Sequence, residues 1–160
     1  MSIETGFLTT PIGIIRITGD RDALHTLYFV EEKPTELTQP ESLLPYLAQI
    51  QEYFTGSRQE FTIPLESSGT PFHKRVWEKL RTIPYGTTVS YGELAMQIGN
   101  PSASRAVGTA NGSNPISIIV PCHRVIGANG KLVGYGGGLW RKQWLLSFEQ
   151  EHSTSSLFHS

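Results

Sequence analysis

The hydrophobic positions of this 160-residue chain change their spacing partway along it. Over the first seventy residues the apolar runs are short and β-favouring: "IGIIRIT", "LHTLYFV" and "EFTIPL" are separated by glycine, aspartate and proline, the punctuation of a small sheet. One segment between them has a different period. In "PESLLPYLAQIQEYFTG", Leu43, Leu47, Ile50 and Phe54 recur at helical spacing, which predicts a helix with one buried face, and Gly56 is placed to end it in the left-handed conformation.

From Thr70 onward the pattern is helical. Thr70 can cap, Pro71 suits the first helical position, and Phe72, Val76 and Leu80 line one face. "IPYGTT" interrupts that helix, and "SYGE" then forms a capping box in which Ser90 and Glu93 open the helix "YGELAMQI", with Gly99 at its end. Asn100 and Pro101 start a further helix, "PSASRAVGTAN", which Gly112 ends. Two short helices joined by a tight turn predict a helix-turn-helix with the second as recognition helix. A β-favouring stretch from Ile116 to Val120 follows, and the helix "LWRKQWLLSFE" comes last. The expected fold is α+β: a sheet-containing domain over residues 1–69, a helical domain over 70–150, and a mobile polar tail over 151–160. "ESSGTP" at 66–71 is the candidate linker.

Charge sharpens the division. Residues 1–69 hold four basic and ten acidic side chains, net −6, whereas residues 70–149 hold nine basic and three acidic, net +6. Either the second half meets a polyanion, or two unlike domains attract one another. The predicted recognition helix bears on the choice. Ser102, Ala103, Ser104, Ala106, Gly108 and Ala110 surround one long side chain, Arg105. Small residues allow close helix packing, but a lone guanidinium among them can also enter a DNA groove or fill a vacated base position.

The chain has one cysteine, which excludes an internal disulfide and a thiolate zinc cluster and points to a reducing compartment. The N-terminal stretch has an early glutamate and no long apolar run, so no signal peptide, no membrane span and a cytoplasmic setting are expected. That cysteine, Cys122, lies in "PCHRVI". A thiol attacks only as thiolate, which requires a nearby base or positive charge, and Pro121, His123 and Arg124 flank it. His123 can act through a bridging water. A histidine base is better held by a carboxylate, and of the three acidic residues between 70 and 149, Glu78 and Glu93 suit exposed or capping positions, leaving Glu149. The run "GYGGG" at 134–138 lacks the features of a phosphate or dinucleotide loop. It is either a flexible connection or a segment that closes over a flat ligand, with Tyr135 as a stacking face.

Together, "PCHRVI", "RAVGTANGSNP", "IPYGTTVSYGELA" and "GGLWRKQWLLSFE" resemble the methylated-DNA-protein-cysteine methyltransferases, the O6-alkylguanine-DNA alkyltransferases. The motifs cover about residues 70–149, and the N-terminal half matches in layout. The resemblance implies a DNA-repair protein whose helix-turn-helix enters the minor groove of double-stranded DNA. The protein flips O6-alkylguanine, mainly O6-methylguanine, out of the stack and moves the alkyl group irreversibly onto its own cysteine. No cofactor, no metal and no membrane are implied, and a monomer is expected. By the same resemblance Cys122 is the acceptor, His123 its water-mediated base and Glu149 the carboxylate that orients His123. Asn114 bonds near the thiolate, and Tyr91 can donate to guanine N3. Arg105 fills the space of the flipped base, with Ser104, Ala106, Tyr91 and Arg124 completing the DNA-contacting set; Tyr135, Gly136 and Val125 form the base pocket.

Two positions depart from some relatives: Gly136 stands where they have serine, leaving a roomier pocket, and Phe148 where they have histidine. Two other readings differ in kind. A damage sensor that flips the base without transfer has no acceptor cysteine, and a cysteine hydrolase has no need of a basic helix-turn-helix.

Overall fold

The computed structural model describes residues 2–158, with side-chain surroundings through residue 153. Chain contacts divide it into two compact units, Met1–Ser68 and Gly69–Ser160. Among the described residues no helix is long and apolar enough to cross a membrane.

The first unit is an antiparallel meander with one helix. Strands β1 (Glu4–Thr10), β2 (Gly13–Gly19) and β3 (Leu24–Phe29) pair in the order β1-β2-β3, with Leu8 opposite Ile15 and Ile17 opposite Leu27. Alternation along β2 puts Ile15 and Ile17 inside, and β3 adds Leu24 and Leu27. The register slips at Thr18/Gly19, where a Cβ on Gly19 would stand 2.5 Å from the Ala23 carbonyl oxygen, so the bend excludes any larger residue. Helix α1 (Leu44–Thr55) contributes Leu47, Ile50 and Phe54 to the core, and Gly56 ends it at φ 84°.

Two expectations need correction here. β1 carries no strong apolar run and escapes the sequence pattern, whereas "EFTIPL" makes only a single bridge, Leu24 to Leu65. Pro64 sits in the middle of that segment without an N–H to donate, and its carbonyl instead accepts from Leu24 N at 2.9 Å.

The second unit is helical. Helix α2 (Pro71–Leu80) starts at Thr70, whose hydroxyl accepts from His73 N, and buries Val76, Trp77 and Leu80. Strand β4 (Val89–Ser90) leads directly into α3 (Tyr91–Ile98), which opens on the full Ser90/Glu93 capping box and closes at Gly99, φ 91°. A 3-10 turn over Pro101–Ala103 precedes α4 (Ser104–Gly112), completing the helix-turn-helix. Trp77 Nε1 donates to the Ala110 carbonyl at 2.8 Å and locks α2 to α4. Strand β5 (Val125–Ile126) pairs in parallel with β4, Val89 opposite Val125, tying the front of α3 to the segment that follows Cys122.

Ile116 forms only a bridge and residues 117–120 turn or bend where a strand is expected, with Ile118 at φ 73°. A β-branched residue there is strained, and the surrounding hydrogen bonds hold it in place. The last helix, α5, spans Leu139–Phe158. It continues over 151–158, most of the stretch set apart as a tail, with neither glycine nor proline to interrupt it; residues 159–160 lie outside the described residues.

Candidate active site

The backbone that carries the thiol is held by Asn111 in the last turn of α4 and Asn114 just beyond it. Asn114 Nδ2 donates to the Val120 carbonyl at 2.8 Å, and Asn114 Oδ1 accepts from Ile116 N at 3.0 Å, fixing both ends of the strained turn. Asn111 Nδ2 donates to the carbonyl of Cys122 at 3.4 Å. Cys122 N donates to the Val120 carbonyl, and Pro121 leads into a 3-10 turn over Cys122–Arg124 that buries all three of its side chains. Turn geometry, not an extended strand, sets where the sulfur and the imidazole point.

Glu149 is the centre of the charged network. Its carboxylate accepts from His123 Nε2 at 2.7 Å, from Arg124 Nε and Nη2 at 2.7 and 2.9 Å, and from Gly86 N at 3.2 Å. Arg124 Nη1 donates to the Ile83 carbonyl at 2.7 Å, and the guanidinium lies over the Tyr85 ring. Burial alone would raise the Glu149 carboxyl, but His123 and the Arg124 fork reverse that and hold it well below the usual carboxylate range. Burial, followed by the Glu149 charge, pushes Tyr85 up to about 12. Burial also pushes His123 down despite Glu149, so the imidazole is neutral near pH 7. Its Nδ1 is buried with no protein partner among the described residues.

Burial pushes the Cys122 thiol up, while a bond from Asn114 and the charge of Lys142 pull it down. Lys142 on α5 is wholly buried, and its ammonium donates to the carbonyls of Val125, Val133 and Gly134 at 2.7, 2.8 and 3.3 Å. Tyr91 and Tyr135 both have phenols raised by burial and by the nearby Cys122 charge, so each remains an O–H donor in reach of the thiol's field. The Tyr91 hydroxyl lies 3.4 Å from the Val133 carbonyl.

The structure therefore gathers Cys122, His123, Glu149 and Asn114, with Tyr91, Tyr135 and the buried Val125 around them. Gly136 is exposed, and a Cβ on it would meet nothing within 4 Å, so no neighbour crowds the position where some relatives have serine. Ser104, Arg105 and Ala106 stand exposed on α4, away from the buried network. The small-residue helix packs through one face, where Val107 and Ala110 are buried and Gly108 faces the Tyr91 ring, while Arg105 lies exposed on another. Arg124 is a correction. It was assigned to DNA but is 6% exposed, with its fork committed to Glu149.

Sequence reasoning missed Lys142, Asn111 and Gly86. Lys142 had a signal: with Leu145 and Glu149 it lies at i, i+3 and i+7, one face of α5, and all three are buried. Gly86 had none, because a turn that donates its amide to a carboxylate 63 residues away leaves no local pattern.

Two family profiles match the chain: "6-O-methylguanine DNA methyltransferase, ribonuclease-like domain" over residues 3–67, and "6-O-methylguanine DNA methyltransferase, DNA binding domain" over residues 71–151. The methylated-DNA-protein-cysteine methyltransferase of Mycolicibacterium paratuberculosis is 50% identical over 97% of each chain. The crystal structure of Mycobacterium tuberculosis O6-methylguanine methyltransferase superposes with a TM-score of 0.86 at 46% identity, covering 94% of each chain. A second structure, Mycobacterium tuberculosis OGT in complex with DNA, superposes at 0.85 with 49% identity, covering 92% of this chain and 93% of that one. With both profiles together spanning nearly its whole length, the chain belongs to the 6-O-methylguanine DNA methyltransferase family, DNA-repair proteins that take an alkyl group onto a cysteine of their own.

Proposed function

We propose that Cys122 is the alkyl acceptor and that O6-alkylguanine, mainly O6-methylguanine, is delivered to it from the minor groove of duplex DNA. The observation that carries the reading is the orientation of His123. Glu149 holds Nε2 at 2.7 Å, which leaves Nδ1 as the buried nitrogen free to take a proton through a water from the adjacent thiol. The thiolate then forms the S–C bond as the C–O6 bond breaks in line. The guanine keeps the electron pair and takes a proton, aided by the Tyr91 phenol near N3.

Arg105, flanked by Ser104 and Ala106 on the exposed face of α4, fills the stack where the base has left. Tyr135 stacks on the extruded base, and open Gly136 offers backbone alone beside O6. The protein acts as a monomer in the cytoplasm, where its single cysteine stays reduced. No cofactor enters the chemistry.

The product is a thioether, which has no carbonyl for water to attack, so the site has no route back. Incubation with excess O6-methylguanine duplex should transfer one methyl per protein molecule, with mass spectrometry showing one added methyl on the peptide that contains Cys122. Continued product with Cys122 unmodified would replace the transferase with a turning-over hydrolase. Arg105→Ala should slow repair of duplex far more than reaction with the free O6-substituted base, since only the duplex must be unstacked, at about a few kcal/mol. Equal losses on both substrates would make Arg105 structural.

A further inference from the structure

Two asparagines serve the thiol segment, and their amides are not used alike. Asn114 commits both ends to backbone, Nδ2 to the Val120 carbonyl and Oδ1 to Ile116 N. Asn111 commits one. Its Nδ2 donates to the Cys122 carbonyl at 3.4 Å, and because a carbonyl oxygen only accepts, the amide must turn its nitrogen that way and its oxygen elsewhere. Asn111 is 5% exposed, and its Oδ1 has no hydrogen-bond partner among the described residues. A buried acceptor left unpaired is costly, and beside a reactive residue it is a place for a substrate donor. His123 Nδ1, unpaired in the same way, has a task in the proton transfer, whereas Asn111 Oδ1 takes no part in it.

The surroundings of Asn111 narrow the choice of donor. Gly108 and Asn111 are about one turn apart on α4, and the Tyr91 ring lies against Gly108, where a Cβ would stand 3.8 Å from it. A hydrogen bond from Asn111 to the Tyr91 phenol works against the effect of burial there. The Asn111 amide is thus bracketed by the Tyr91 hydroxyl and the backbone of Cys122. With Tyr91 at guanine N3, the next group on the ring is the exocyclic 2-amino group, since N3 and that amine are bonded to the same carbon, C2. The amine is also the only N–H donor of an O6-alkylguanine base in DNA. Alkylation at O6 removes the N1 proton, so N1, N3 and N7 can only accept.

We infer that Asn111 is a specificity-determining residue whose Oδ1 accepts a hydrogen bond from the 2-amino group of the extruded O6-alkylguanine. The inference rests on the alkyl-transfer reading above and adds a base contact to it. An O4-alkylthymine ring carries no N–H and would leave Oδ1 buried and unpaired. An O6-alkylated hypoxanthine, the same purine without the amine, would do likewise. A site built to pair a substrate N–H rejects analogues that lack it more strongly than an apolar pocket rejects a change in size.

The test is single-turnover methyl transfer to the full-length protein from three duplexes that differ at one base: O6-methylguanine, O6-methylhypoxanthine and O4-methylthymine. Wild type should react with the two bases that lack the amine about ten- to a hundredfold more slowly than with O6-methylguanine. Asn111→Leu, similar in volume, should bring the ratio of guanine to hypoxanthine rates close to one, whatever it costs both reactions. Asn111→Ala repeats the comparison if the leucine is not accepted by the fold. A wild-type ratio already near one would overturn the inference. So would a folded variant that slows both purines equally and keeps the ratio, which would leave Asn111 a brace for the Cys122 carbonyl. If the O6-methylguanine duplex delivers no methyl at all, the transfer reading fails instead, and the affinities of wild type and Asn111→Leu for the two purine duplexes still decide the role of Asn111.

Discussion

The two units of this chain bury different kinds of side chain. The core of Met1–Ser68 is made of Ile15, Ile17, Leu24, Leu27, Leu43 and Ile50 with two tyrosines, of which Tyr46 reaches the Asp20 carbonyl at 2.7 Å. Every buried amide or charged side chain among the described residues lies in Gly69–Ser160: Asn111, Asn114, His123, Arg124, Arg141, Lys142 and Glu149. An apolar core asks only for volume and alternation. A buried network of this kind must return, through mutual hydrogen bonds, the hydration that each ion loses. The first unit is therefore built for packing, and the second accepts an expensive interior because the reaction needs a dry thiol beside fixed charges.

The strongest way to break the comparison is to remove the hub of the network. Glu149→Ala leaves Arg124 as a buried unpaired cation and frees His123. It should lower stability by about 3–5 kcal/mol in urea unfolding and slow methyl transfer of the folded fraction by about a hundredfold or more. Unchanged stability would mean that water, not Glu149, satisfies the guanidinium. Leu27→Ala is the counterpart in the first unit. The cavity should cost about 2–5 kcal/mol, yet the transfer rate per folded molecule should match wild type. A rate that fell with it would join the two units in one catalytic structure.

pH separates them further. His123 sits below its ordinary value in the folded protein, so unfolded chains bind its proton first, and stability should fall as pH drops below about 6.5. Glu149 is held below the usual carboxylate range, so its contribution is present above about 4.3 and is lost as the pH falls toward its folded value. Urea midpoints measured from pH 8 to pH 3 should show both losses in wild type. In Leu27→Ala the same profile should appear at lower stability, and in Glu149→Gln the acid loss should be reduced. A Glu149→Gln profile that kept the full acid loss would assign it to other carboxylates.

What could be read from the sequence follows the same division. Thr70, the Ser90/Glu93 box, Gly56 and Gly99 are local devices, and each acts in the structure as its neighbours dictate. The thiol stands out because the chain has one cysteine, with His123 next to it, and Glu149 because only three acidic residues lie between 70 and 149. What stayed hidden depends on distant partners. "EFTIPL" reads as a strand until the ladder asks Pro64 for an N–H, and 116–120 reads as a strand until Asn114 folds it into turns around Ile118. Arg124, adjacent to the thiol, looked like a DNA contact because nothing local shows that Glu149, 25 residues on, takes its fork.

The smallest expected effect tests how far such local devices reach into the site. In Ser90→Ala the Glu93 amide loses the hydroxyl it donates to at 3.0 Å, which should cost about 1 kcal/mol. The backbone of Ser90 is still paired with Ile126 across β4 and β5, and Tyr91 follows it in the chain, so the helix start should remain beside the thiol segment. Transfer should accordingly proceed at close to the wild-type rate, with only the urea midpoint lowered. A slowing comparable to Glu149→Ala at this small cost in stability would show that the cap, rather than the strand pair, aims Tyr91 at the base. The boundary between packing and chemistry would then run through α3 itself, and not between the two units.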